Sequence, residues 1–153
     1  MAISCKYIER PKDIDAGVKI IHDEVLPLLQ KSWEVYGKPV YEKDFSLHVE
    51  AFMNLWVMGN LVMVIAYNDN KEAVGVLIGL RFIPMYFHSN VLQVETCYSD
   101  DAEVVDKLYD HISSIGGILN IDEVWVQNDT GLPQMCDSLA LEPKKCITYR
   151  YKR

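Results

Sequence analysis

The hydrophobic pattern of the chain switches between helical and extended spacing, and each switch predicts an element. Ile3 to Glu9 reads as a short strand that Pro11 ends. Ile14, Val18, Ile21, Val25 and Leu28 then recur at steps of four, three, four and three residues, which lays them along one face of a helix. Pro27 lacks the amide hydrogen that a helix interior needs, so this helix is expected to kink or stop early there. Phe45, Val49, Phe52, Met53 and Trp56 make a second helical stripe, with Asp44 as its expected N-cap and Gly59-Asn60 as its stop.

Beyond Asn60 the spacing becomes extended. Leu61 to Tyr67 is a near-continuous apolar run rich in β-branched residues, the pattern of a strand covered on both faces. Asn68-Asp69-Asn70-Lys71 is turn chemistry, so Ala73 to about Pro84 is predicted to return as the second arm of a hairpin. Val91 to Tyr98 is a further strand. Asp100 to Ile115 carries Ala102, Val105, Leu108, Tyr109 and Ile112 at helical spacing and runs into Gly116-Gly117. Val124 to Val126 is a short strand, Gly131-Leu132-Pro133 opens a last helix, and Cys146 to Lys152 is a closing strand. This order predicts an α/β fold on a mixed sheet, with antiparallel hairpins first and a parallel strand–helix–strand crossover after them. No repeat, linker or low-complexity tract interrupts it, so residues 1–153 are read as a single domain with about four helices.

Composition narrows the setting. Half of the 153 residues are apolar, enough for one sizeable core without disulfide support. Fifteen Lys and Arg against 22 Asp and Glu leave a net charge of −7. That argues against nonspecific nucleic-acid binding, where a basic face must displace counterions. Bases crowd only the tail, at Lys144, Lys145, Arg150, Lys152 and Arg153. Cys5, Cys97, Cys136 and Cys146 form no C-x-x-C pair and no His/Cys cluster, so no metal site is expected and the thiols are read as reduced. Ala51 to Tyr67 is broken by Asn54, Gly59 and Asn60 and is too short to span a bilayer. With no apolar leader after Met1, the expected location is cytoplasmic, without membrane association.

Several strings, in this order, resemble the GNAT (Gcn5-related N-acetyltransferase) superfamily. Val124-Trp125-Val126-Gln127-Asn128, a helix, Ser138-Leu139-Ala140-Leu141-Glu142-Pro143 and Ile147-Thr148-Tyr149-Arg150-Tyr151 are similar to the family's strand–Asn–helix–"LGF-x-P"–strand ending. The Asp69–Lys71 hairpin with Val74-Gly75-Val76-Leu77-Ile78-Gly79 resembles its "IVG" strand pair. Val94-x-Thr96-x-Tyr98 resembles the "V-x-P-x-Y" that precedes the acyl-CoA loop. The resemblance implies a splayed sheet with acetyl-CoA in the wedge between two central strands, and transfer of its acyl group to an amine acceptor. It implies that the pantetheine arm pairs along Leu92 to Cys97, through Leu92, Val94 and Thr96. The diphosphate would meet the amides of Asp101, Ala102, Glu103 and Val104 at a helix N-terminus, and Asn128 would join the cofactor site.

Two places depart from the family pattern. Where the family carries "R-G-x-G-x-G/A", this chain reads Ser99-Asp100-Asp101-Ala102-Glu103-Val104, without a glycine or a base, and six acids stand against one lysine between Glu95 and Asp110. Asp100-x-x-Glu103 is itself arranged like a capping box, whose side-chain oxygens would take the amides a phosphate would use. The position of the family's tyrosine general acid holds Cys136.

Glu95 is therefore a candidate general base, or a surface-facing strand residue, and His88 is a second candidate base, or a solvated loop histidine. Cys136 is either a proton donor to the leaving thiolate or a small packed hydrophobe. Phe82 to His88, with Phe82, Met85, Tyr86 and Phe87, either lines a substrate or partner surface or is buried. Two functions are expected from this. One is an acyl-CoA-dependent N-acyltransferase, weakened or silenced by its acidic loop. The other is a non-catalytic GNAT-fold protein working by protein–protein contact, as an assembly, virion-associated or inhibitor protein or in an oligomer. Worn loops of this kind also occur in GNAT-like proteins carried by bacteriophages.

Overall fold

The structure, a computed structural model, describes residues 2–37, 44–85, 88–127 and 146–149. Six strands form one sheet in sequence order: β1 Ser4–Tyr7, β2 Leu61–Tyr67, β3 Ala73–Phe82, β4 Val91–Ser99, β5 Glu123–Gln127 and β6 Cys146–Tyr149. The first three pairings are antiparallel and the last two parallel, as the order of elements predicts. The hairpin between β2 and β3 is built by its asparagine. Asn68 Oδ1 accepts from the amides of Asn70 and Glu72 at 2.9 and 3.0 Å, while Lys71 takes the left-handed φ of 62°.

Among the described residues, four α-helical segments flank the sheet: α1 Ile14–Ile20, α2 Leu26–Ser32, α3 Val49–Val57 and α4 Ala102–Ile115. Helix α4 lies on one face, where Val104, Leu108, Tyr109 and Ile112 pack on Val62, Val64, Leu77, Leu92 and Val94. The other face takes Ile21, Val25, Leu28, Leu29, Phe52, Met53 and Trp56 against Met63, Ile65, Val76, Ile78 and Tyr98. Alternate residues of β2 thus enter opposite cores. That is why this segment reads as an unbroken apolar run rather than an alternating one.

The α4 layer lies so close to the sheet that only a glycine fits beneath it. A Cβ on Gly75 would stand 2.6 Å from Val104 Cγ1, 3.2 Å from Leu108 Cδ1 and 3.3 Å from Ser99 Cβ. Gly75→Val is expected to lower stability by about 1–3 kcal/mol through overpacking, read as a lower urea midpoint with an unchanged slope.

Three boundaries differ from expectation. The first helix does not stop at Pro27. Ile21–Val25 winds as a π-helical turn, in which the Leu26 amide reaches back five residues to the Ile21 carbonyl, and α2 restarts with Pro27 in its first turn, where the missing amide hydrogen costs nothing. Leu28 and Leu29 therefore stay in the core, and a second π-helical turn, Trp33–Gly37, follows α2. Asp44 does not cap α3: residues 44–48 are non-helical, and His48 Nδ1 accepts from the Ala51 amide at 3.0 Å. Helix α4 begins at Ala102 behind Asp101, two residues later than Asp100. The expected last helix from Gly131, together with Tyr86, Phe87, Asn128 and Cys136, lies outside the described residues.

Candidate functional site

Parallel pairing between β4 and β5 runs only from Val91 opposite Glu123 to Val94 opposite Val126. Strand β4 continues to Ser99, held on its other side by β3, whereas β5 ends at Gln127. Among the described residues the β4–β5 ladder is not continued beyond Val94. The ladder stops beside a β-bulge on the β3 side. Gly79 stands opposite Val94 and Ile78 opposite Thr96, so Glu95 is the extra residue.

The bulge decides where Glu95 points. Gln93 lies opposite Leu80 and Thr96 opposite Ile78, and both partners belong to the α1–α3 face. Glu95, inserted between them, meets Gln93 on that side: Gln93 Nε2 donates to Glu95 Oε1 at 3.1 Å. Its carboxylate opens to solvent, yet enough protein surrounds it that desolvation raises its pKa, with the Gln93 hydrogen bond opposing. The raised value makes it a stronger base than an ordinary surface glutamate.

Of the residues the resemblance assigned to the pantetheine arm, Thr96 lies past the end of the β4–β5 ladder, whereas Leu92 and Val94 lie within it. Both are buried toward α4, and their edge is already paired with Val124 and Val126. His88 also falls elsewhere. It is exposed in the segment before β4, at the end where the strands are stitched together, with Asp122 Oδ2 accepting from the Asn90 amide at 2.9 Å. Cys97, buried on the α4 side, has its thiol pushed well up by burial and supplies no thiolate.

The turn from β4 into α4 is occupied by its own side chains. Asp101, not Asp100, is the N-cap, so the capping box expected from Asp100 and Glu103 does not form in that register. Asp101 Oδ1 accepts from the Glu103 amide at 2.9 Å, the Val104 amide donates to the Asp101 carbonyl at 3.1 Å, and the Asp101 amide donates to Ser99 Oγ at 3.2 Å. Asp100 is drawn outward: Tyr98 Oη donates to its Oδ1 at 2.6 Å, and Lys31 Nζ of α2 lies 3.8 Å from its Oδ2. Tested against acyl-CoA, the site fits in one part only. The edge of β4 beyond Val94, unpaired with β5 among the described residues, suits an amide-bearing arm, whereas the turn does not suit a diphosphate.

Sequence reasoning missed Gln93, Lys31 and the Tyr98 hydroxyl. The i, i+2 spacing of Gln93 and Glu95 on a strand is the signal that could have found the first. It also missed a cavity of about 260 Å³ lined by Gln30, Trp33, Glu34, Asp44 and Phe45, with the Trp33 and Phe45 rings 6.4 Å apart. Phe82 packs edge-on against Trp125 at 5.4 Å, while Ile83 and Met85 are 64% and 88% exposed. Among the described residues no three His, Cys, Asp or Glu side chains gather as a metal site, and no helix is long and apolar enough to cross a membrane.

A mixed sheet that splays beside a bulged central strand is the fold of the GNAT acetyltransferases, and comparison with solved structures shows that this chain has it. An aminoglycoside acetyltransferase from an uncultured soil metagenomic sample, solved with sisomicin, superposes with a TM-score of 0.61 at 16% identity, over 99% of this chain and 96% of its own. The ribosomal-protein-alanine N-acetyltransferase of Brucella melitensis biovar Abortus 2308 gives 0.58 at 14% identity, over 82% of this chain and 79% of its own. An acetyltransferase of Trypanosoma brucei gives 0.58 at 12% identity, over 99% and 98%. By sequence, no family model and no curated protein matches.

Proposed function

We propose that the chain transfers an acyl group from a thioester to an amine. The observation that carries this reading is the coincidence of three features at one residue. Glu95 is the bulge, the point where β4 loses β5, and a carboxylate of raised pKa. The donor supplies an activated acyl group, and the chain supplies the rest. Backbone groups of β4 beyond Val94 hold an amide-bearing arm by strand-type hydrogen bonds. As the amine nitrogen bonds to the acyl carbon and the thioester C–S bond breaks, Glu95 accepts the proton that the amine sheds, with Gln93 fixing the carboxylate, and the thiolate leaves and takes a proton from solvent. The cavity beside α2 joins two aromatic side chains to the carboxylates of Glu34 and Asp44, a lining that suits a protonated amine.

The self-capped turn favours a second reading, in which a GNAT-fold protein has given up its cofactor and works by contact with a partner protein or another copy of itself. Exposed Ile83 and Met85 are then its surface. Thermal shift separates the two. A thioester at about 100 times its dissociation constant stabilises the fold by about 2.7 kcal/mol, which raises Tm by about 5–11 °C for a chain of this size. The catalytic reading expects such a shift with acetyl-CoA or S-acetylpantetheine, together with acetylation of a diamine followed by mass spectrometry. Neither shift nor product with either donor overturns it in favour of the second.

A further inference from the structure

We infer that the β4–α4 turn is closed to polyphosphates, and that the thioester this protein takes ends at its pantetheine arm and carries no nucleotide diphosphate. The second half rests on the acyl-transfer reading; the first stands on the turn alone.

A backbone phosphate cradle needs amide hydrogens that converge and lack other partners. Here the amides of Asp101, Glu103 and Val104 donate to Ser99 Oγ, Asp101 Oδ1 and the Asp101 carbonyl. Ser99 is fixed in that role, because its hydroxyl donates to the Val74 carbonyl of β3 at 2.7 Å. The cation that α2 brings to the turn, Lys31, is already matched by Asp100, which the Tyr98 hydroxyl also holds. The oxygens that a diphosphate would offer these amides are thus supplied by the chain itself, two from side chains and one from the Asp101 carbonyl, and the negative charge by Asp100 and Asp101. Three exposed carboxylates, Asp100, Asp101 and Glu103, would face the incoming anion with like charge. The edge of β4 past Val94 carries no such conflict, since pantetheine is neutral and amide-bearing and asks only for strand-type hydrogen bonds.

Calorimetric titration of the full chain tests this with acetyl-CoA, S-acetylpantetheine and ADP at fixed ionic strength. The wild type is expected to bind acetyl-CoA no more tightly than S-acetylpantetheine, and not to bind ADP. The triple variant Asp100→Asn, Asp101→Gly, Glu103→Gln should bind acetyl-CoA at least about tenfold more tightly, a gain of about 1.4 kcal/mol, with S-acetylpantetheine unchanged and ADP now bound. Because Asp101→Gly exposes the helix start, Asp100→Asn with Glu103→Gln keeps the cap and should show the same trend more weakly. Wild-type affinity for acetyl-CoA more than about tenfold above that for S-acetylpantetheine, or variants whose acetyl-CoA and ADP binding do not change, would overturn the inference. Failure of the acyl-transfer reading looks different. Neither thioester then binds the wild type, which removes the donor assignment, while ADP binding by the triple variant still demonstrates the closed turn.

Discussion

Replacing Trp56 with alanine is expected to cost about 3–5 kcal/mol of stability and to lower Tm by about 6–20 °C. Trp56 is the largest side chain of the described core and is 1% exposed. It packs edge-on against Phe52 at 6.3 Å and lies in the layer that joins α1, α2 and α3 to Met63, Ile65, Val76 and Ile78 of the sheet. Truncation leaves a void that helices anchored on both sides cannot close. The indole also carries a penalty, because its Nε1–H is buried without an acceptor. An unsatisfied buried donor costs about 1–3 kcal/mol, so Trp56→Phe, which removes the orphan hydrogen along with part of the ring, should cost well under half of what alanine does. Urea denaturation of the two variants checks both figures. Equal losses for Phe and Ala would refute both the penalty assigned to the buried donor and the share of the packing assigned to the ring that phenylalanine keeps.

The layers of the fold were legible where a residue's burial depends on its own neighbours in sequence. Leu61–Tyr67 had to be a strand covered on both sides, because seven consecutive apolar residues leave neither face for solvent. Asn68 to Lys71 had to turn, because asparagine oxygens satisfy amides two and four residues on. The site was less legible because it depends on partners distant in sequence. That Glu95 is a bulge follows from the register of β3, where Gly79 faces Val94 and the next residue back faces Thr96. Nothing local marks where β4 parts from β5, so neither the pantetheine residues Leu92, Val94 and Thr96 nor the candidate bases Glu95 and His88 could be placed relative to that point until the pairing was seen to end at Val94. Asp100 was the expected cap of α4, and its neighbour Asp101 carries the same carboxylate. The choice fell on Asp101 because Tyr98 and Lys31, one of them from another helix, draw Asp100 away. Pro27 was expected to kink or stop the helix; a π-helical turn just ahead of it interrupts the α-spacing, and the chain goes on winding past it.

Glu95→Gln is expected to slow amine acylation by about 10²–10⁴-fold while leaving thioester affinity within about twofold. Glutamine keeps the size of the side chain and its contact with Gln93 but cannot take a proton, so the loss falls on turnover rather than on binding. The pH profile separates this role from a structural one. Because desolvation raises the Glu95 pKa, the rate should climb with pH through a value above the ordinary glutamate range, and that limb should vanish in Glu95→Gln. Gln93→Ala removes the hydrogen bond that favours the carboxylate, so it should move the limb to still higher pH and reduce the rate below it. Stability responds in the same sense. With the native pKa above the unfolded one, the folded state holds the proton more tightly, and Glu95 makes the fold less stable as pH rises across the interval between the two. Glu95→Gln should therefore be no less stable than wild type at neutral pH, and its margin over the wild type should be larger there than at the acidic end of that interval. A variant that loses activity together with stability, or an acid limb unchanged by both substitutions, would take the proton-transfer role away from Glu95.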